Sequence, residues 1–224
     1  MKYILLCLCI TAHSALFGQP RLSVEYEMEL KLEEVMPTLD SKFMKQFANV
    51  VAVYDYHFFN NASQYVFRES RKKDESITGP AKISPNSVTI YKNFTDNVMY
   101  AQLDAEKDLV SMDSLATDQP WKIDHTAAKI IAGISCQKAT TTIDGEETTA
   151  WFAPEIPISD GPLSLHGLPG LILQVENKSA AITATSVDTN DDAPWSIEMP
   201  KAEKYLSPQE FNERISLKKN ECKD

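Results

Sequence analysis

The sequence predicts a mainly β protein, folded as a curved antiparallel sheet, a half-open barrel or a sandwich, with two short helices. Three observations support this fold class. Apolar and polar residues alternate with period two in about ten short segments, which is typical of half-buried strands. Turn-forming residues such as Asp144-Gly145 separate these segments. Most links between them are short, which favours antiparallel pairing of consecutive strands.

The chain begins with the features of a cleaved signal peptide over residues 1–18. Lys2 supplies a positive charge, and the run from Tyr3 to Phe17 is uncharged and mostly apolar. This run is too short for a membrane-spanning helix, which needs about 20 apolar residues. We therefore expect an exported protein, located in the periplasm, at the cell surface or outside the cell. Residues 19–224 are expected to form one β-rich domain with no integral membrane segment.

The first half of this domain is predicted to be a run of strands with one helix. The alternating pattern predicts strands over residues 22–32, 51–59, 64–69, 87–94, 97–103 and 109–112. Between the first two, apolar residues recur at helical spacing and predict a helix over 40–50. The turn at Asn60–Ser63 predicts a hairpin, and the polar segment 71–86 is expected to be a long loop.

The second half repeats the hairpin pattern. Strands are predicted over residues 129–143, with a bulge at Gly133, and over 147–153, 171–176 and 181–187. Asp144-Gly145 predicts a tight hairpin between the first two of these strands. The stretch 154–170 is rich in Pro and Gly and is not expected to be a central strand. Ser207 as the cap and Pro208 at the first position predict a C-terminal helix.

The charge of the chain excludes one class of partner. The formal net charge is −10 at pH 7, with 32 acidic and 22 basic residues. Such a surface repels phosphate backbones and anionic lipid headgroups, so we do not expect nucleic-acid binding. Acidity does not identify a partner by itself, because its usual effect is solubility.

Cysteine usage leaves two alternatives open. Cys136 and Cys222 are the cysteines that remain after the predicted cleavage, and they could form a disulfide in an oxidising compartment. Alternatively, Cys136 is a buried free thiol and Cys222 belongs to a tail. Spacing in sequence cannot decide between them, because a disulfide requires the two Cα atoms to lie within about 7 Å.

One hexapeptide indicates a resemblance to a known protein family. It consists of Gly167, Leu168, Pro169, Gly170, Leu171 and Ile172. With the segments Gly133–Ala139 and Ala150–Pro157 and the pair Gly161-Pro162, it resembles the GLPGLI family of exported bacterial proteins of Bacteroidetes type. The resemblance runs from about Trp121 to Val187. The chain departs from it at Ile134-Ser135, where a Tyr and a basic or polar residue are more usual. The resemblance implies export and a β-rich fold, and it implies no catalytic activity.

The hexapeptide also has a local physical interpretation. Pro169 and Gly170 are predicted at the two central positions of a type II turn, where proline presets φ and glycine accepts a positive φ. In one interpretation this corner is architectural and directs Leu171 into the core. In the other, the stretch 154–170 forms a loop over a groove for a ligand or partner. Trp151, Phe152 and Pro154 are candidates to line that groove, although such aromatic residues are more often core.

No pattern of metal-ligating or cofactor-binding residues stands out. His57, His125 and His166 are isolated in sequence, whereas structural zinc sites have clustered ligands. The segment Asp188–Asp192 offers alternating oxygen ligands, but Ala193 occupies the position where a calcium loop requires glycine. We therefore predict no metal site and no cofactor.

The sequence also gives little evidence for a catalytic nucleophile. Ser164 lies near His166, but neighbours in sequence do not establish a catalytic triad. Cys136 could pair with a histidine, but its position inside a predicted strand is more typical of an inert core thiol.

Three hypotheses for function remain. The first is a non-enzymatic envelope module that binds a protein partner or an apolar ligand. The second is a hydrolytic or redox enzyme that uses Cys136 or a histidine. The third is a structural component of the envelope.

Overall fold

The structure is a computed structural model of the chain, and it describes residues 21–35, 38, 40, 44, 47–76, 87–115, 119–143 and 145–221. The predicted signal peptide and Cys222 lie outside this part of the chain. Part of the helix predicted over 40–50 also lies outside it; among the described positions Met44, Phe47 and Ala48 are helical, whereas Val50 already belongs to a strand.

Eleven strands of the described residues form one antiparallel sheet. They are β1 (Leu22–Leu30), β2 (Val50–Phe59), β3 (Ala62–Lys72), β4 (Val88–Asn93), β5 (Val98–Leu103), β6 (Glu106–Ser114), β7 (Lys122–Ile131), β8 (Ile134–Ile143), β9 (Glu146–Ala153), β10 (Leu171–Glu176) and β11 (Ala180–Asp188). Their order is β6-β5-β4-β3-β2-β1-β11-β10-β9-β8-β7, so each half of the chain forms a meander. β1 and β11 pair at the centre and join the two meanders. The predicted fold class, mainly β and antiparallel, is confirmed.

The half of the sheet from β7 to β11 is strongly curved. Four strand spacings separate β7 from β11 in the hydrogen-bonded order, which would place them about 19 Å apart in a flat sheet. Cα atoms of the two strands instead come within 8 Å of each other. Of the predicted architectures, the structure therefore shows a curved antiparallel sheet.

The main core lies on the concave side of this sheet. Leu22, Val24 and Tyr26 of β1 point into it and are buried. The residues between them face outward, where Glu25 forms ion pairs with Arg68. The Tyr26 hydroxyl donates a hydrogen bond of 2.7 Å to the Ile172 carbonyl of β10, so the core side chains of β1 reach directly to the other meander.

Two-residue turns with positive φ connect several strands. Asn60 and Asn61 have φ values of 51° and 59° between β2 and β3, as the predicted hairpin requires. Ala132 and Gly133 have φ values of 48° and 80° and form the same kind of turn between β7 and β8. The prediction of one strand over 129–143 with a bulge at Gly133 is therefore wrong. The chain reverses direction there, because positive φ at both central residues is the geometry of a tight hairpin.

Most of β7 has no counterpart among the predicted strands. It begins at Lys122, whereas no strand was predicted between residues 113 and 128. Most of its side chains are exposed because it is the edge strand of the sheet. An edge strand exposed on both faces need not alternate apolar and polar residues, so the period-two pattern could not reveal it.

Two helices whose ends are described flank the sheet. The strand predicted to reach residue 32 ends at Leu30, and the one-turn helix α1 (Leu32–Val35) follows it. The C-terminal helix α2 (Pro208–Glu221) confirms the prediction, because the Ser207 hydroxyl accepts a hydrogen bond from the Glu210 N–H at 3.3 Å. None of the helices in the described residues is long and apolar enough to cross a membrane.

Candidate functional site

The segment that connects β9 to β10, residues 154–170, lies against the core and carries most of the hexapeptide. We call it the β9–β10 loop. Backbone hydrogen bonds fix its two ends, since Ile156 O accepts from Leu171 N at 3.0 Å and Asp160 O accepts from Ile172 N at 2.9 Å. An isolated antiparallel bridge between Asp160 and His166 closes its tip. The loop is thus a compact element rather than an open connection.

A buried lysine of β4 binds inside this loop. The Lys92 ammonium donates to Asp160 Oδ1 at 2.5 Å, to the Gly161 carbonyl at 2.8 Å and to the Leu165 carbonyl at 3.0 Å. These bonds use all three N–H donors of the ammonium. We call this arrangement, Lys92 with Asp160, Gly161 and Leu165, the Lys92 cluster. It joins the loop to the other meander of the sheet.

The second carboxylate oxygen of Asp160 is also bound. Tyr56 of β2 donates to Asp160 Oδ2 at 2.9 Å. Burial raises the pKa of Tyr56 well above its usual value, and the negative charge of Asp160 raises it further. Burial also lowers the pKa of Lys92, while the charge of Asp160 and its hydrogen bond act in the opposite direction.

The Lys92 cluster is closed to substrates. The side chains of Lys92 and Asp160 are 2% and 0% exposed. Breaking such a buried pair by removing one partner costs about 3–5 kcal/mol, because a charge is left uncompensated. The cluster is therefore built to fix the β9–β10 loop and is not placed to act on a bound molecule.

Neither Lys92 nor Asp160 was predicted as a site residue from the sequence, although the position of Lys92 on its strand was an indication. Lys92 lies on β4 directly opposite Ser63 of β3, and Ser63 pairs with Phe58 of β2 on the core side. Ile90, two residues before Lys92, is on the same side and packs against the core. A lysine at an inward position of a strand requires a buried partner, and that requirement could have pointed to an acidic residue elsewhere.

The hexapeptide forms the end of the loop, but it does so without the predicted type II turn. Leu171 N donates to Ile156 O, whereas a type II turn would direct it to Leu168 O. Instead Gly170 N donates to Leu168 O at 2.8 Å, and the φ of Gly170 is 159° rather than about 80°. Gly170 is required for another reason: a Cβ atom there would lie 2.3 Å from the Ala153 carbonyl oxygen. The glycine allows the loop end to pass directly over the end of β9.

The rest of the hexapeptide packs into the core. Leu168, Leu171 and Ile172 are buried. Gly167 has a φ of 93°, a backbone conformation that residues with a side chain rarely adopt. A Cβ atom there would lie 3.7 Å from the Trp121 ring, and the Trp121 indole N–H donates to the His166 carbonyl at 2.9 Å. These contacts favour the architectural interpretation of the hexapeptide itself.

A cavity of about 400 Å³ lies beside the loop tip, at one end of the curved half of the sheet. Its walls are mainly apolar and come from β1, β8, β10 and β11; they include Met28, Ile143, Val175, Ala180 and Ile182. The loop supplies the remaining side through Leu163, Ser164 and Leu165.

The polar residues of the lining are Glu146, Thr148, Ser164, Glu176 and Asn177. Glu146 and Glu176 contribute carboxylates, and Glu176 is paired with Lys31 at 2.5 Å. Thr148 of β9 also lines the cavity. Its cross-strand neighbour Thr141 has a buried hydroxyl with no hydrogen-bond partner among the described residues. Mainly apolar walls with a few polar groups are typical of sites for small ligands, and their cavities measure about 300–1,000 Å³.

The three residues predicted to line a groove are not brought together. Phe152 is buried in the core, and Trp151 lies on the opposite face of β9, as consecutive strand residues must. The Lys129 ammonium lies 5.6 Å from the centre of the Trp151 ring. Pro154 is exposed at the start of the β9–β10 loop. None of the three lines the cavity described above.

The candidate nucleophile Cys136 is buried, and within the described residues it forms no disulfide. Burial raises the pKa of Cys136 to about 11, so the thiol is protonated at neutral pH and is a poor nucleophile. Because Cys222 lies outside the described residues, the disulfide between Cys136 and Cys222 stays a prediction.

The histidines do not form a metal site in the described part of the chain. No group of three His, Cys, Asp or Glu side chains there is placed to hold a metal ion. His166 is half-buried on the β9–β10 loop, and its pKa is lowered by burial and then by the charge of Lys92. Ser164, its neighbour in sequence, lines the cavity.

Comparison with known proteins identifies the family. A family model described as the N-terminal domain of N-glycanase (PNGase F-II) matches residues 49–208. The chain belongs to this family. The match includes the Lys92 cluster, the β9–β10 loop and most of the sheet.

Solved structures of PNGF-II share the fold of this domain. Structures in a C2 and a P21 crystal form superpose on the chain with TM-scores of 0.58 and 0.59, at 14% and 13% sequence identity. Each comparison covers 88% of this chain and 33% of the PNGF-II chain. The chain thus spans about a third of the length of the solved proteins that it matches. No curated protein matches it.

Proposed function

We propose that this chain is a non-enzymatic binding module of an exported bacterial protein, and that it binds an apolar ligand in the cavity beside the β9–β10 loop. Export and membership of the GLPGLI family are parts of this proposal. Both rest on the N-terminal run and on the hexapeptide Gly167–Ile172.

The cavity is the observation that carries the proposal. The cavity is open to solvent on one side, and it exposes the apolar walls of about 400 Å³ of shaped space to water. An apolar ligand that covered this surface would gain hydrophobic stabilisation, and the volume is in the range of small-ligand sites.

The chemistry of the buried polar groups supports binding over catalysis. Catalytic acids, bases and nucleophiles need an accessible position and a pKa suited to proton transfer. Lys92 and Asp160 are buried and fully occupied with each other and with the loop. The raised pKa of Cys136 disfavours a thiolate nucleophile, so the version of the enzyme hypothesis that uses Cys136 loses its physical basis.

Family membership is compatible with an accessory role. The matching family model is that of an N-terminal domain, and PNGF-II is about three times as long as the region that this chain shares with it. A binding module of this kind could act beside a separate catalytic domain or alone.

A pair of substitutions tests the proposal. Ala180 lines the cavity, whereas Ala181 points to the opposite face of β11. Ala180→Phe should fill the cavity, and Ala181→Phe adds the same side chain outside it. The measurement is a fluorescence titration with Nile red, a neutral apolar dye. We expect wild-type protein and Ala181→Phe to bind the dye and Ala180→Phe to bind it at least tenfold more weakly.

Two results would contradict the proposal. One is a wild-type protein that does not bind Nile red. The other is equal binding by Ala180→Phe and Ala181→Phe, which would place the dye elsewhere. The first result would favour a structural role for the chain in the envelope.

A further inference from the structure

We propose that Leu163, at the tip of the β9–β10 loop, is a binding residue of the cavity and contacts the apolar part of the ligand. This inference rests on the proposed function, because it assigns a role within the same cavity. Lys92 and Asp160 are buried and do not line the cavity, so they are positioning residues that hold the loop segment around Leu163.

The backbone of Leu163 is the first observation. Its φ is 55°, which lies in the left-handed region. For a bulky residue such as leucine this conformation is an outlier. The other non-glycine residues with positive φ in the described part of the chain are Asn60, Asn61, Asn97 and Ala132, which lie in turns between strands. Asparagine tolerates this region and alanine has a minimal side chain, so only Leu163 combines it with a large apolar side chain.

The exposure of Leu163 is the second observation. Its side chain is 38% exposed and also lines the cavity. A leucine that served only the core would be buried, as its neighbour Leu165 is. The exposed apolar side chain at the cavity wall is therefore available for contact with a bound molecule.

The way the loop is held is the third observation. The Lys92 ammonium binds the carbonyls of Gly161 and Leu165, two residues before and two residues after Leu163. The Pro162 carbonyl also accepts a hydrogen bond from Leu165 N at 3.2 Å. A strained backbone persists only where its surroundings over-determine it, and such strain is concentrated at ligand sites. The Lys92 cluster supplies that constraint and fixes the position of Leu163.

A series of substitutions at Leu163 separates the side chain from the backbone strain. Leu163→Ala removes the side chain and keeps the strain, Leu163→Gly removes both, and Leu163→Met keeps a large apolar side chain. We expect the Ala and Gly variants to bind Nile red about fivefold more weakly than wild type, because an apolar contact is lost. The Met variant should bind within about twofold of wild type. The thermal midpoint of the Gly variant should be a few degrees higher than that of the Ala variant, since glycine adopts positive φ freely.

Ala132 provides the matched control. It also has a positive φ, but it lies in the β7–β8 turn and does not line the cavity. Ala132→Gly should therefore raise the thermal midpoint and leave Nile red binding unchanged.

The outcomes that overturn the inference are specific. Binding by Leu163→Ala and Leu163→Gly equal to that of wild type would remove Leu163 from the site. A Gly variant no more stable than the Ala variant would remove the strain argument. If wild type binds the dye and Ala180→Phe does not, either result leaves the proposed function intact and overturns only the role of Leu163. A wild-type protein that does not bind the dye would overturn both.

Discussion

At the scale of single residues, the glycines of the hexapeptide show how a short motif encodes a close backbone approach. Gly170 leaves no room for a side chain, because the nearest atoms to a Cβ there belong to the backbone of Ala153 and Pro154. Backbone atoms cannot move aside as the end of a flexible side chain can. The constraint on this position is therefore steric.

Gly170→Ala should destabilise the protein by about 2–3 kcal/mol, the upper part of the usual range for overpacking, because the clash is with backbone atoms. Gly133→Ala is the matched control. It also places an alanine at positive φ, but nothing lies within 4 Å of its Cβ position, so the expected cost is about 1 kcal/mol. Urea unfolding of the two variants measures the difference. Equal destabilisation would show that conformation alone, and not the approach to Ala153, requires Gly170.

At the scale of elements, the β9–β10 loop depends on one ion pair formed between distant parts of the chain. Lys92 comes from β4 in the first meander, and Asp160 comes from the loop that joins two strands of the second. The pair therefore helps to hold the two halves of the sheet in register around the core.

A double-mutant cycle on this pair tests its role. Lys92→Met and Asp160→Asn should each reduce the free energy of unfolding by about 3–5 kcal/mol, because each leaves a buried charge without its partner. The double variant Lys92→Met/Asp160→Asn should lose less than the sum of the two by roughly 2 kcal/mol, since neither charge remains. The measurement is the midpoint and slope of urea unfolding. Strictly additive losses would mean that the two charges do not interact in the folded protein.

The elements also show what the sequence could and could not predict. Hairpins such as that at Asn60 and Asn61 were predictable, because their turn residues are determined by local backbone conformation. The strand β10 was predictable as well, since Leu171 begins an apolar run after a Pro- and Gly-rich segment. The edge strand β7 was not, because exposure on both faces removes the alternation that marks a strand.

The candidate site was less predictable than the fold. Residues 154–170 could be recognised as a special loop from their composition alone. The Lys92 cluster could not, because Lys92 and Asp160 meet only when the two meanders fold around one core. Pairing of β1 with β11 connects the two ends of the domain, and no local pattern encodes such a distant contact.

At the scale of the whole molecule, four buried tyrosines contribute to the pH dependence of stability. Burial raises the pKa values of Tyr26, Tyr56 and Tyr65 well above 10 and that of Tyr54 to about 12. Above pH 10 the unfolded chain has released these protons, whereas the folded protein retains them. The folded state then binds more protons, so the free energy of unfolding decreases as pH rises.

We expect a loss of about 1.4 kcal/mol per pH unit for each such tyrosine above pH 10. The buried tyrosines should form phenolate only as the protein unfolds, and ultraviolet absorbance together with circular dichroism can follow both events. Tyr65→Phe is an informative control because the Tyr65 hydroxyl is buried and has no hydrogen-bond partner within the described part of the chain. This substitution should reduce the dependence of the free energy of unfolding on pH by the contribution of one tyrosine, at little cost in stability. Titration of all four tyrosines near pH 10 in a folded protein would contradict this account.

The acidic surface and the apolar cavity describe the molecule as a whole. The net charge of −10 favours solubility, while the curved half of the sheet leaves apolar space beside the β9–β10 loop.

The central claim is that this space is a ligand site. Nile red titration of Ala180→Phe beside Ala181→Phe tests it most directly, because the two variants differ only in which face of β11 receives the ring. The account predicts that the first variant loses the dye and the second keeps wild-type affinity; indistinguishable affinities would contradict it.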